Sequence, residues 1–145
     1  APVEGEAVEL SKVSDPTFGE EILGKGVAII PSVGRAVAPV DGTIEMVFDT
    51  KHAISMTSES GIEILIHIGL DTVSLKGDPF TAHVAAGDKV KAGDLLLEFD
   101  IEAIKEAGLD TIVPMVICNT SDYSEIQASA GKTVKVLDEV LTVTK

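Results

Sequence analysis

At 145 residues the chain can bury one sizeable core and is too short for two domains to be expected. Hydrophobic residues make up 45% of it but aromatics only 3%, and Trp is absent, so small and branched aliphatics must fill that core. Asp plus Glu number 24 against 11 Lys plus Arg, a net charge of −13, which argues against nucleic acid and anionic lipid and favours a basic protein partner.

The start, APVEGEAVEL, has neither the basic end nor the apolar stretch of a signal peptide. Its missing initiator Met is what a processed chain, or one cut from something longer, would show. No apolar run approaches the ~20 residues of a membrane helix, so no direct membrane insertion is expected. Residues 1–14 read as a loosely held leader or linker, and 15–145 as a single domain. DPTFGEEIL, with Pro16 at a first helical position, is at best one helical turn. From there, turn signals punctuate short β-branched segments: GVAII, RAVAPV, TIEMVF, HAISMT, IEILIHI, DLLLEF, TIVPMVI, TVKVL and EVLTVT. That spacing predicts an all-β sandwich or barrel. One short helix interrupts it: Asp100 caps IEAIKEA, and Gly108 suits the left-handed position that follows. Cys118, the only cysteine, excludes an internal disulfide and fits a reducing compartment. In the apolar VPMVICN it reads as a buried small hydrophobe. Finally, GDKVKAGDLLLEF (87–99) aligns with GKTVKVLDEVLTV (131–143), so one β-motif is expected to occur twice.

The histidines carry the chemistry. If IEILIHI is a strand, Ile62, Ile64, Ile66 and Ile68 form one apolar face and Glu63, Leu65 and His67 the other. TSESG, polar with a glycine, reads as the hairpin loop joining HAISM to it. An even-numbered loop centred between Glu59 and Ser60 places His52 directly across from His67, Cβ atoms roughly 5 Å apart. It also pairs Ile54 with Leu65 and extends the face through Thr50 and Phe48. A three-residue loop would shift the register by one and break this pairing. Two neighbouring imidazoles disfavour each other's protonation, so both should stay neutral near pH 7, with a nucleophilic or metal-binding lone pair. His83, in FTAHVAAGDK, gets no role.

VAPVDGTIEMVFDTKHAISM, GIEILIHIGLDTVSLKG and GDKVKAGDLLLEFD together resemble the IIA component of the glucose-class phosphoenolpyruvate-dependent sugar phosphotransferase system. The resemblance runs from about Asp15 to the C-terminus. It implies an antiparallel β-sandwich, a barrel-sandwich hybrid with a duplicated motif and a few short helical turns. It further implies a phosphocarrier that takes a phosphoryl group from the phosphocarrier protein HPr and gives it to the IIB domain of a IIBC sugar transporter. Regulatory target proteins are further partners of this kind, and the implied setting is cytoplasmic, free or tethered to a transporter. No cofactor is implied. The phosphorylated histidine falls on His67, the second active-site histidine on His52, and the family threonine on Thr50. The acidic residues that meet an arginine of HPr fall on Asp15 and Asp71. The apolar depression around the histidines maps onto Phe18, Val40, Phe48, Ile54 and Leu65; Leu65 and Ile54 stand where relatives often carry Phe.

Phosphoryl transfer needs an in-line nucleophile, charge-stabilising donors and little water. His67 is expected to attack through Nε2, its Nδ1–H fixed by a backbone carbonyl that the resemblance assigns to Gly69. His52 would donate to the equatorial phosphoryl oxygens, oriented by the Thr50 hydroxyl. Two rival readings exist. One is a zinc site, His52 and His67 supplying two ligands and H-x-x-x-D adding Asp71, but a closed tetrahedral site wants four ligands and the sequence shows no CxxC, HExxH or third well-placed His; the facing histidines could still take up adventitious zinc, a partner's carboxylate completing the site. No native metal is expected. VFDTKHAIS and GDKVKAGDLLLEF also resemble a lipoyl or biotinyl half-motif with Lys51 as the modified lysine. That lysine needs a protruding hairpin tip, whereas Lys51 is expected within a strand.

Overall fold

The structure, a computed structural model, describes residues 2–13, 24–48, 50–70, 72, 80–128, 130–136 and 141–144. Its strands, in chain order, are β1 (Gly5–Glu9), β2 (Lys25–Pro31), β3 (Arg35–Val37), β4 (Gly42–Val47), β5 (Ala53–Ser58), β6 (Glu63–His67) and β7 (Phe80–Ala82). They continue as β8 (Lys89–Val90), β9 (Leu95–Phe99), β10 (Val113–Ile117), β11 (Glu125–Ala128), β12 (Lys132–Val134) and β13 (Leu141–Thr144), with one α-helix, α1 (Ile101–Glu106), between β9 and β10. Eight strands form one sheet in the order β12-β1-β2-β10-β6-β5-β4-β8. A three-stranded sheet, β3-β9-β7, and a two-stranded sheet, β11-β13, complete the architecture, and every described pairing is antiparallel.

Alternation decides what each face does. Val27, Ile29, Ile44, Ile54, Met56, Ile64, Ile66 and Met115 of the large sheet join Ala36, Phe80, Leu97 and Phe99 of the three-stranded sheet in one buried cluster. Ile126, Leu141 and Val143 of the two-stranded sheet pack against it. This is a sandwich, one of the two architectures expected from the spacing of the strands, and its antiparallel pairing is what the family resemblance implies. The opposite face of the large sheet carries a second, smaller cluster, in which Ala28, Val116 and half-buried Leu65 meet Leu10, Val13, Leu70 and Ile112. The isoleucine row behaves as expected: Ile64, Ile66 and Ile68 are buried, Glu63 is exposed, and Leu65 and His67 are half-buried on the other side.

The helix is capped at both ends. Asp100 accepts from the Ala103 N–H, and Gly108 has φ +78°. The Gly108 N–H reaches the Lys105 carbonyl and the Leu109 N–H the Ile104 carbonyl, a Schellman ending.

The repeated motif is real and extends beyond the two aligned segments. β8 and β12 close opposite edges of the large sheet. The Gly87 N–H donates to the Ile44 carbonyl (2.7 Å) and the Gly131 N–H to the Ala7 carbonyl (2.8 Å). Val90 lies opposite Gly42, and Val134 opposite Gly5. The two halves therefore share one hydrogen-bonding scheme. They meet where β6 pairs with β10, at Ile66 opposite Met115.

Four sequence expectations are corrected. Residues 1–14 are no loose leader as far as they are described: β1 pairs with β2 along its whole length, and Val3 and Ala7 are fully buried. Cys118 is exposed, because it is the first residue past β10 and falls outside that strand's buried row. Lys51 lies in the turn between β4 and β5 rather than in a strand. The hairpin register is shifted by one. Ser58 N–H bonds to the Ile62 carbonyl and Gly61 N–H to the Ser58 carbonyl, which closes a three-residue loop, Glu59-Ser60-Gly61. Gly61 sits at φ +93°, the left-handed position such a loop requires. His67 consequently lies opposite Ala53, and Ile54 opposite Ile66 rather than Leu65. The helical turn expected at DPTFGEEIL falls outside the described residues.

Candidate functional site

β6 delivers His67 to the outer face, at the margin of the second cluster, and the residue beyond the strand fixes its ring. The His67 Nδ1 lies 2.6 Å from the Gly69 carbonyl oxygen. A carbonyl only accepts, so Nδ1 carries a proton, and in the neutral ring the lone pair is on Nε2. Gly69 can serve because it has φ +71°, and a Cβ there would lie 2.7 Å from the Asp110 carbonyl oxygen. The loop is tied down on both sides: Gly69 N–H donates to Ile112 O, Leu70 N–H to Asp110 O, and the buried Thr72 hydroxyl to Ile68 O.

His52 comes from the other strand of the hairpin. The Ile68 N–H donates to its carbonyl at 2.7 Å, so the two histidine-bearing segments are hydrogen-bonded at the site itself. The ring is buried, with its centroid 4.9 Å from that of His67 and the planes at 76°. Phe48 meets it edge-on from the far side, at 5.3 Å and 72°. Thr50 Oγ1 is hydrogen-bonded to His52 Nδ1. Burial lowers the His52 pKa from its ordinary 6.5, so the imidazole is held neutral. Two imidazoles, each with Nδ1 engaged locally, thus face one another across a half-buried apolar setting.

The remaining expected site residues divide. Phe48 and Leu65 are half-buried on the face of His67. Val40 is half-buried and packs against the main core. Ile54 is no surface residue: the shifted register turns it inward, where it is 2% exposed, so it cannot meet a partner. Asp15, Phe18 and Asp71 lie outside the described residues. Sequence reasoning missed Met46. It lies opposite Ser55, which lies opposite Leu65, so Met46 shares the histidine face, and it is 49% exposed. A bulge at Glu45 hid it by reversing the alternation of β4. Among the described residues, no group of three or more His, Cys, Asp or Glu could hold a metal ion.

An antiparallel sandwich with two opposed histidines on the outer face of its larger sheet is a defined class of site, and comparison with known proteins gives it a family. The family model described as “phosphoenolpyruvate-dependent sugar phosphotransferase system, EIIA 1” matches residues 1–123, and the chain belongs to that family. It is 50% identical over 127 residues to the glucose-specific EIIA component of Oceanobacillus iheyensis, covering 88% of this chain and 77% of that protein. It is 53% identical over 124 residues to the β-glucoside-specific EIIBCA component of Bacillus subtilis, covering 86% of this chain but only 20% of that protein. The solved structure of glucose permease IIA from Mycoplasma capricolum superposes with a TM-score of 0.90 at 37% identity, covering 97% of this chain and 91% of that one. The family resemblance and the sandwich fold are thereby established, together with a general role in phosphoenolpyruvate-dependent sugar phosphotransfer. Among the described residues, no helix is long and apolar enough to cross a membrane.

Proposed function

We propose that this chain is a phosphohistidine carrier of the sugar phosphotransferase system, loaded by phospho-HPr and discharged to a IIB domain, working in the cytoplasm free or as part of a transporter. The observation that supports the reading is the His67 Nδ1 to Gly69 carbonyl bond, which in the neutral ring leaves Nε2 as the nitrogen able to attack. In the loading step Nε2 attacks the phosphorus in line, a new N–P bond forms, and the N–P bond to the HPr histidine breaks. HPr leaves with its imidazole lone pair, and no proton need move through His67. Charge develops on the equatorial oxygens, where His52 donates through Nε2–H while the Thr50 hydroxyl donates to Nδ1. Docking covers the site and removes water, which suits a half-buried apolar surround better than an open cleft.

The test is phosphorylation by phosphoenolpyruvate, enzyme I and HPr, followed by transfer to IIB domains of glucose and β-glucoside systems. Acid-labile label is expected on the wild type and none on His67→Ala; labelling of that variant at a normal rate would end the assignment. His52→Gln keeps an amide donor, so it should accept phosphate and pass it on poorly. If it is as inert as His67→Ala, the division of roles is wrong.

A further inference from the structure

The direction of the His52 ring is not what its strand dictates. Residues directly opposite in an antiparallel pair share a face. His52 lies opposite Ile68, through the Ile68 N–H to His52 carbonyl bond, and Ile68 is fully buried in the main core. Two residues on, Ile54 faces that core as well. Extended backbone at position 52 would therefore send the imidazole inward. Instead it touches Phe48 and His67, two residues of the outer face.

The alternation fails one residue earlier. Lys51 has φ +59° and is the non-glycine residue with positive φ among those described. Its N–H donates to the Phe48 carbonyl at 2.7 Å, and the Phe48 N–H to the Ala53 carbonyl at 3.1 Å, so the turn is closed on both sides. An exposed lysine in the left-handed region is strained, because its Cβ crowds the following carbonyl. The other half of the molecule offers a comparison at the same register position. There Lys25 lies opposite Ile117 as His52 lies opposite Ile68, and the preceding residue is Gly24, at φ +146°. The two share a positive φ but not a conformation: Gly24 lies outside the left-handed region that Lys51 occupies, and a Cβ there would overlap the Ile117 carbonyl oxygen, so the left-handed backbone belongs to the histidine-bearing half.

We infer that Lys51 is a positioning residue whose left-handed backbone, not its ammonium group, aims the His52 ring at His67. The inference rests on the reading of His67 as the phosphoryl acceptor only for its effect on rate. Its geometric half can be read without any transfer reaction.

The experiment compares Lys51→Val, Lys51→Gly and Lys51→Asn in the whole chain. Valine is β-branched and resists positive φ, whereas glycine and asparagine accept it. Two readouts are taken: the nuclear Overhauser contact between the two imidazole rings with the His52 titration curve, and transfer from phospho-HPr and onward to IIB. Lys51→Val should lose the ring contact, move the His52 pKa back towards 6.5, and slow onward transfer by about tenfold or more. Lys51→Gly and Lys51→Asn should restore both readouts. Wild-type behaviour of Lys51→Val in both readouts overturns the inference. So does slow transfer by Lys51→Gly with its ring contact intact, which would assign the role to the ammonium. If Lys51→Val does not fold, Lys51→Ala decides: normal transfer with intact ring contact supports a backbone role, and slow transfer with intact contact overturns it. If no variant and not the wild type is phosphorylated while the ring contacts change as described, the carrier reading fails and the positioning stands.

Discussion

Gly69 combines two demands that no other residue type meets together. Its carbonyl fixes the His67 ring, and its φ of +71° and closeness to Asp110 exclude a side chain. Gly69→Ala should therefore destabilise the fold by on the order of 2 kcal/mol or more, from left-handed strain and overlap combined. It should also release the His67 tautomer, visible as a change in the ring nitrogen shifts; a melting temperature and shifts equal to wild type would refute this. His52 makes a pH prediction with a definite sign. Its native pKa is depressed by burial below 6.5, so the unfolded chain takes up a proton before the folded one does. That makes its contribution complete above about pH 6.5 and progressively lost as pH falls towards the native pKa. His52→Gln has nothing to titrate there and should flatten that part of a plot of melting temperature against pH. An unchanged slope would mean that other groups set it. Cys118 shows why exposure is not reactivity. The residue is exposed, yet its thiol pKa is raised, first by partial loss of water around the sulfur and then by the Glu63 carboxylate. Iodoacetamide at neutral pH should label it more slowly than a free thiol, and Glu63→Gln should speed the reaction.

At the scale of elements, the hairpin of β5 and β6 shows what patterning can and cannot deliver. The isoleucine row of β6 was legible, because four branched residues at period two admit one covered face. The register was not. TSESG fits a loop of either parity, and the choice fell to Gly61, whose positive φ closes a three-residue loop and moves Ile54 into the core. His52 still reaches His67 because the turn at Lys51 undoes that shift, and nothing in a lysine announces a left-handed backbone. β1 escaped notice for a different reason. In GEAVE the inward positions are Gly5 and Ala7, too small to read as an apolar stripe although both are buried. Glu125–Ala128 has three exposed residues of four and so gives no periodic signal either. Caps were legible because they need a particular chemistry. Asp100 accepts from Ala103 N–H, as its place before IEAIKEA requires. Asp100→Ala should cost about 1 kcal/mol, and Asp100→Asn much less. Equal losses would mean that charge rather than hydrogen bonding holds the helix start.

Among the described residues the large sheet holds two copies of one hydrogen-bonding scheme, and the two opposed histidines lie in only one of them. Where the first half places His52 and His67, the second places Lys25 and Val116, with Val116 buried in the outer apolar cluster. The second copy thus supplies a covered apolar floor, and the first a half-buried margin of His67, Phe48 and exposed Met46 beside buried His52. Superimposed on this is a net charge of −13, whose reach is limited to a Debye length of about 8 Å at physiological salt. The two features should control different parts of an encounter with a basic partner. Charges at the rim mainly set the on-rate, while the apolar centre sets how long the complex lasts. Asp71 is the acidic residue that the family resemblance assigns to HPr, and on that reading Asp71→Asn should slow loading from phospho-HPr most at low salt, with the gap from wild type closing as salt rises. Phe48→Asp should weaken loading at every salt concentration, because docking would bury an unpaired carboxylate beside His52. Phe48 is half-buried on the outer face, so circular dichroism of that variant should remain that of the wild type. Transfer rates across a salt series separate the two effects. A Phe48→Asp protein that stays folded and transfers at the wild-type rate would mean that the partner approaches His67 from elsewhere, since no docked surface over Phe48 could tolerate that charge.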